Sequence, residues 1–465
     1  MRYFFAGFVS IIVAGGGILA MLFLFPSTLL ESPAMVYGKI SSFTARQSRE
    51  QNLSKTKEER IAAALQRSSN IKGLYMTADV ANDPGRGATN LRQHIIKLAR
   101  TTEINGLVID VKEVCGPDYR EARLRQLLEE LHRDNIWAIA RITVFKDASQ
   151  INAHPEWYLK TSRPRSLPDG CMRKSALRAK PLVAASIESL PAKTAGAPLW
   201  KDNKGGYWLD PASPGARAYT ASFAKKMIDL GFDELQFDYV RFPSDGDVAN
   251  AIYPSWNKKI AKPEVMKSFF QLLNRELKAY KSEIILSADL FGYVALLNND
   301  VGIGQRLEDI GNNFDYVSFM VYPSHYYNGL VLGPDARRNL PALNLNVAQA
   351  RAHPDVVIER SLNVARDFLD SVASTTELRL ATSSLATASN VRSGGDARSR
   401  VRLRPWLEDF FHEEDRLAKR PYGSQKVRMQ IDAAQRVEQH GWLLWNASNV
   451  YAEGALRPKG APETR

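Results

Sequence analysis

The chain has 465 residues, 45% of them hydrophobic, and a formal net charge of +12. That length and apolar content exclude a disordered polymer and a minimal domain, and leave room for a sizeable core. The positive balance suits an anionic polymer or envelope surface, but no basic helix, finger or aromatic-basic sheet motif accompanies it, which argues against nucleic acid as a partner.

The run from Tyr3 to Phe25 carries no charge. At about 1.5 Å per residue it is long enough to span a hydrocarbon core as a helix. It is longer than a signal-peptide apolar region of about 7–15 residues, and it ends at Pro26, Leu29 and Leu30 rather than at small residues. Residues 1–30 therefore read as a transmembrane anchor, with a cleaved signal peptide as the alternative. Arg2 precedes the run, whereas Arg46, Arg49, Lys55, Lys57 and Arg60 follow it. Charge bias alone argues weakly for a body kept inside; the expectation is nonetheless a membrane-anchored body in the periplasm or outside the cell, on the chemistry of its strand ends. Residues 31–69 read as a tether ending in a short amphipathic helix at 55–68.

From residue 70 onward, short β-branched and aromatic runs alternate with helical spacing. The runs fall at 71–77, 106–111, 136–142, 234–240, 284–290, 315–321, 401–406 and 441–446. Helical patterns fall at 89–102, 121–134, 214–230, 263–280, 299–313, 354–371 and 425–439. Eight such units predict an α/β fold, a closed (β/α)8 barrel over 70–465 behind the N-terminal transmembrane helix. An open doubly wound sheet is the alternative, but no glycine-rich dinucleotide turn follows the first strand. Few residues remain after the eighth strand, and 55–68 is expected to cover that gap. Stretches 161–205 and 372–400 interrupt the rhythm and read as loop insertions. Cys115 and Cys171 follow the second and third strands; they either pair or stay free.

Reactive residues of such a barrel sit at strand C-termini, and the period of two selects those facing the axis. In "ELQFDYV", Gln236 and Asp238 share the axial face, while Leu235, Phe237 and Tyr239 face the helices. Asp289 ends the fifth strand, and Asp110 and Lys112 are in phase on the second. Arg141 ends the third. Tyr322 is in phase on the sixth, with His325 in the loop beyond, and the eighth ends in Trp445 and Asn446. Two carboxylates, flanking aromatics and no metal-ligand spacing suit glycoside hydrolysis. Asp238 and Asp289, on adjacent strands, are the natural catalytic pair, with Arg241 and Lys112 placed to hold one carboxylate ionised. Asp110, Arg141, Tyr322, His325, Trp406, Asp409, Trp445 and Asn446, with Lys112 and Arg241, complete a sugar-binding rim. No cofactor and no metal is called for. Structural ion pairs, such as Asp110 with Lys112 or Arg141 and Asp238 with Arg241, are the plainer alternative for each charged residue.

Nine stretches in order carry a resemblance: "KGLYMTA", "NGLVIDVKE", "IARITVFKD", "YWLDP", "GFDELQFDYVRFPSDG", "LSADLFGY", "MVYPSHY", "RPWLEDF" and "LLWNASNVY". Over about residues 70–451 the chain resembles the bacterial glycosyl hydrolase family catalogued as domain of unknown function 4015, itself distantly similar to α-amylase-type barrels. The resemblance implies Asp238 as nucleophile. It puts the acid at Asp289, where the amylase type has glutamate. It aligns Asp409, beyond Trp406, with a third carboxylate, and Glu408 stands where glutamine is expected. The expectation is a glycosidase acting on an envelope or extracellular polysaccharide. Two rivals are a non-catalytic carbohydrate-binding envelope protein and a metal-assisted hydrolase, such as a deacetylase, using Asp110, Asp238 and His325.

Overall fold

The computed structural model describes residues 56–171, 197–297, 299–383, 401–410, 412–413 and 422–462. The anchor expected at 1–30, most of the tether, and parts of both insertions lie outside the described residues. Among the described residues no helix is long and apolar enough to cross a membrane.

Eight parallel strands close into a barrel: β1 (Ile71–Met76), β2 (Gly106–Glu113), β3 (Trp137–Thr143), β4 (Glu234–Asp238), β5 (Ile285–Phe291), β6 (Tyr316–Met320), β7 (Arg402–Leu403 with Trp406–Glu408) and β8 (Gly441–Trp445). β1 pairs with both β2 and β8, which closes the ring. The seventh strand is split at Arg404-Pro405. Proline has no amide hydrogen to give the ladder, but its carbonyl accepts the Leu443 N–H at 2.9 Å. The expected (β/α)8 architecture is present.

The helices are α1 (Lys57–Arg67), α2 (Arg86–Thr101), α3 (Glu121–Arg133), α4 (Pro214–Leu230), α5 (Lys262–Tyr280), α6 (Leu307–Gly311), α7 (Pro354–Ser383) and α8 (Ser424–Val437). Local chemistry sets their ends. α4 starts with Ser213 accepting the Ala216 N–H and Pro214 in the first turn, and stops at Gly231, whose φ of 110° only glycine adopts without strain. α6 is much shorter than the pattern at 299–313 suggests. α7 runs on through Ser383, so the insertion expected at 372–400 begins as helix. The insertion at 161–205 is also partly ordered core: Lys160–Thr161 pairs with Ala251–Ile252, and Trp200 and Asp202 are buried.

Alternation along each strand separates two apolar layers. Leu74, Ile109, Ala140, Leu235, Phe237 and Leu286 face the helices. Ile71, Val108, Ile139, Ile285, Tyr316 and Leu443 fill the barrel. At the N-terminal end of the barrel, Arg404 and Glu234 form a fully buried ion pair at 2.8 Å. α1 does not cover the β8–β1 gap. Its end caps this pole instead: the Ser68 carbonyl accepts from Arg404 Nη2 and the Tyr316 hydroxyl, both at 2.8 Å. With the bottom sealed, the cavity lies at the C-terminal mouth.

Candidate active site

The C-terminal layer of the same axial positions is charged. Arg141 stands at its centre. Its Nη1 donates to Asp110 Oδ1 at 2.6 Å, its Nη2 donates to Asp238 Oδ2, and its Nε lies 3.7 Å from Asp289 Oδ2. Burial alone would lower the Arg141 pKa; the charges of Asp110 and Asp238 outweigh it and hold the pKa above its ordinary value. Asp238 Oδ1 also accepts the Tyr239 N–H at 2.5 Å, and Asp289 Oδ1 accepts Trp406 Nε1–H at 2.8 Å. Burial, then the charge of Asp238, pushes the Asp289 carboxyl well above the usual carboxylate range. Asp110 is raised as well, burial prevailing over Arg141 and the Tyr75 hydroxyl that donates to it.

A cavity of about 590 Å³ opens beside these groups. Asp238, Asp289, Arg141 and Arg241 reach its wall, and Tyr322, His325, Trp406 and Trp445 supply ring surface. Trp445 packs against Tyr75 at 4.0 Å with the rings tilted by 31°, and packs edge-on against Trp406 at 5.6 Å. Such rings are suited to packing against the apolar face of a sugar. Burial lowers the His325 pKa, which favours neutral imidazole there.

Several expected rim residues lie elsewhere. A bulge between Asp110 and Lys112 breaks their common phase. Lys112 turns away and pairs with buried Asp147 at 2.7 Å, so it holds neither Asp238 nor Asp289. Arg241 makes no ion pair with Asp238 either; that part is taken by Arg141. Asn446 donates to the Asp409 and Val450 carbonyls and accepts from the Ser448 N–H at 2.8 Å, bracing a turn behind the cavity. Glu408 binds the loop after β6 through Ser324 Oγ at 2.6 Å and meets His412 Nε2 at 2.7 Å. Asp110 sits behind Arg141 rather than on the wall.

Asp409 also misses the cavity. Its Oδ2 accepts the Ala452 N–H at 2.9 Å, and burial raises its pKa to about 7. A raised carboxyl pKa stabilises the fold fully below the unfolded value near 4, and that contribution is lost as pH rises through about 7. Tm is expected to fall by a few degrees between pH 5 and pH 8. Asp409→Asn keeps the acceptor oxygen and should flatten that profile in thermal scans; an unchanged slope would refute it.

The axial phase, applied to β1, also finds Tyr75. Lys204, Trp208 and Phe291 at the wall were not singled out. Tyr239 was expected to face the helices. The strand ends at Asp238, and Tyr239 has φ 53°, a left-handed conformation costly for an aromatic residue. That turn brings its ring to the cavity. The loops join at Cys115–Cys171, which form a disulfide with Cα atoms 5.5 Å apart.

Fold and site together define a closed barrel with an acidic, aromatic C-terminal mouth, the end where barrel enzymes carry their chemistry. A family model described as "Putative glycosyl hydrolase domain", the domain of unknown function 4015, matches residues 73–169 and 173–451. The chain belongs to that family. In structure it is similar to a hypothetical protein from Ruminiclostridium thermocellum, at 24% identity and TM-score 0.31, over 46% of this chain and 96% of that one. It is similar to the PgaB (BpsB) glycoside hydrolase domain from Bordetella bronchiseptica, at 12% identity and TM-score 0.48, over 81% and 94%. It is also similar to a maltogenic α-amylase, AmyB, from Thermotoga neapolitana, at 12% identity and TM-score 0.39, over 82% and 68%. A comparison with curated proteins gives no match.

Proposed function

We propose that this chain is a glycoside hydrolase that cleaves an envelope or extracellular polysaccharide. The observation that carries this reading is two carboxylates in different surroundings on one cavity wall. Asp238 is paired with Arg141 and accepts a backbone N–H, whereas burial and the neighbouring charge bias Asp289 toward its protonated form. Environments that separate two carboxyl groups in this way assign acid and base roles. Asp289 gives its proton to the leaving glycosidic oxygen as Asp238 attacks the anomeric carbon. Water then displaces Asp238, returning a proton to Asp289. Trp406 Nε1–H orients Asp289 throughout. The disulfide favours an oxidising compartment, in keeping with a body outside the cytoplasm behind an N-terminal anchor.

The test is a screen of the protein against purified cell-wall and exopolysaccharides, reading reducing ends, with Asp238→Asn as control. Turnover absent from the control supports the reading; turnover equal in both rejects it. The pH dependence adds a second check. Asp289 acts as an acid only while protonated, so kcat should fall as pH rises through its raised pKa. Asp289→Ala should lose that alkaline limb and retain more activity on aryl glycosides, whose leaving groups need less protonation.

One observation favours a second reading, a non-catalytic carbohydrate-binding barrel. Arg141 ties Asp110 and Asp238 into a structural cluster. That reading predicts sugar binding without turnover. For the metal-assisted rival, no group of three His, Cys, Asp or Glu among the described residues is arranged to hold an ion.

A further inference from the structure

Arg241 carries a charge that the described fold does not pair. It is 7% exposed, and it enters the cavity wall just after the left-handed turn at Tyr239. Its Nη1 donates to the Phe242 carbonyl at 3.1 Å and to Ser244 Oγ at 3.2 Å. Among the described residues, no hydrogen bond engages its Nε or Nη2, and no carboxylate lies within ion-pair distance. Asp238, Asp245 and Asp202 act on it only through space, and burial lowers its pKa. Asp245 lines the same rim.

The other buried cations nearby are paired: Arg141 with Asp110, Lys112 with Asp147, Lys146 with Asp202. Arg241 is instead framed by rings. Its guanidinium carbon lies 4.5 Å from the Phe291 centroid, 5.0 Å from Trp208 and 5.1 Å from Tyr239. That frame fixes the plane of the fork. Exposed Lys204 lines the same cavity and has no carboxylate partner among the described residues. A desolvated guanidinium is costly unless an anion completes it, and a planar fork matches a carboxylate through two parallel hydrogen bonds.

We propose that Arg241 and Lys204 form a subsite for a carboxylate carried by the sugar, which makes the substrate an acidic, uronate-containing polysaccharide. The proposal rests on the glycosidase reading for its sugar ligand, and its test separates the two. Full-length Asp238→Asn protein, unable to turn substrate over, is titrated calorimetrically with oligogalacturonate and oligoglucuronate. Carboxyl-reduced neutral oligomers of the same length are the second arm, and sulfated neutral oligomers the third. The uronates should bind tenfold to a hundredfold more tightly than the neutral forms, the range of charge-assisted hydrogen bonds. They should also bind more tightly than the sulfated forms.

Arg241→Gln should erase that preference. Lys204→Glu, at an exposed position, should weaken it several-fold in a chain whose packing is untouched, so a folding defect in the first variant does not decide the result. Equal binding of uronate and neutral oligomers, binding of none, or preference for sulfate overturns the subsite. Wild-type hydrolysis of neutral glycan alongside equal binding would overturn it and leave the glycosidase standing. Tight uronate binding without wild-type turnover would do the reverse.

Discussion

Asp238→Ala is expected to lower kcat by at least two orders of magnitude while the protein stays folded. The size follows from the role: a lost nucleophile leaves only binding and the acid to act. The fold should survive because Arg141, the partner left behind, keeps its 2.6 Å bond to Asp110 and its approach to Asp289. The buried guanidinium is therefore not stranded. Asp238→Asn is the gentler form, keeping an acceptor for the Tyr239 N–H and removing the charge. Both variants also delete a charge that raises the Asp289 pKa, so any residual activity should have its alkaline limb shifted to lower pH. Initial rates over pH, with circular dichroism to confirm folding, check both points. A folded Asp238→Ala protein with wild-type kcat would remove Asp238 from the chemistry.

The strands were legible because each barrel position is a short run of β-branched and aromatic residues, bounded by loops and helical spacing. The carboxylates were legible because the period of two puts Asp110, Asp238 and Asp289 in phase with the axis. What was hidden came from single-residue breaks in that phase, since a slip of one residue reverses every side chain beyond it. The bulge after Asp110 turned Lys112 outward, and the positive φ at Tyr239 turned its ring inward. The partner of Asp238 was hidden for a different reason. Arg241 is three residues away in sequence and Arg141 is ninety-seven away, and only the closed ring decides that the distant one reaches it. Asp409 and Asn446 sit beside strand ends but are consumed by the turn that joins them, which composition does not record.

The deepest hidden feature also gives the largest stability prediction. Arg404→Met is expected to destabilise the barrel by about 3–5 kcal/mol, the usual cost of stranding one member of a buried ion pair. Arg404 and Glu234 are both fully buried. Arg404 Nη1 reaches both Glu234 oxygens, at 2.9 and 2.8 Å, and its guanidinium stacks 3.7 Å from the Tyr316 ring centroid. Without it, Glu234 keeps only the Trp137 Nε1–H at 3.0 Å, and the Ser68 carbonyl that docks α1 loses a donor. The loss should appear as a Tm drop of roughly 5 °C, because the entropy of unfolding grows with chain length. Adding Glu234→Gln removes the stranded charge and leaves an acceptor for Trp137, so the double variant should recover part of the loss. That recovery separates a charge effect from a packing effect: if Arg404→Met melts low and the double variant melts lower still, the guanidinium matters as a packed plate over Tyr316 and not as a counter-ion. If the single variant melts within a degree or two of wild type, the pair does not stabilise the closed end of the barrel.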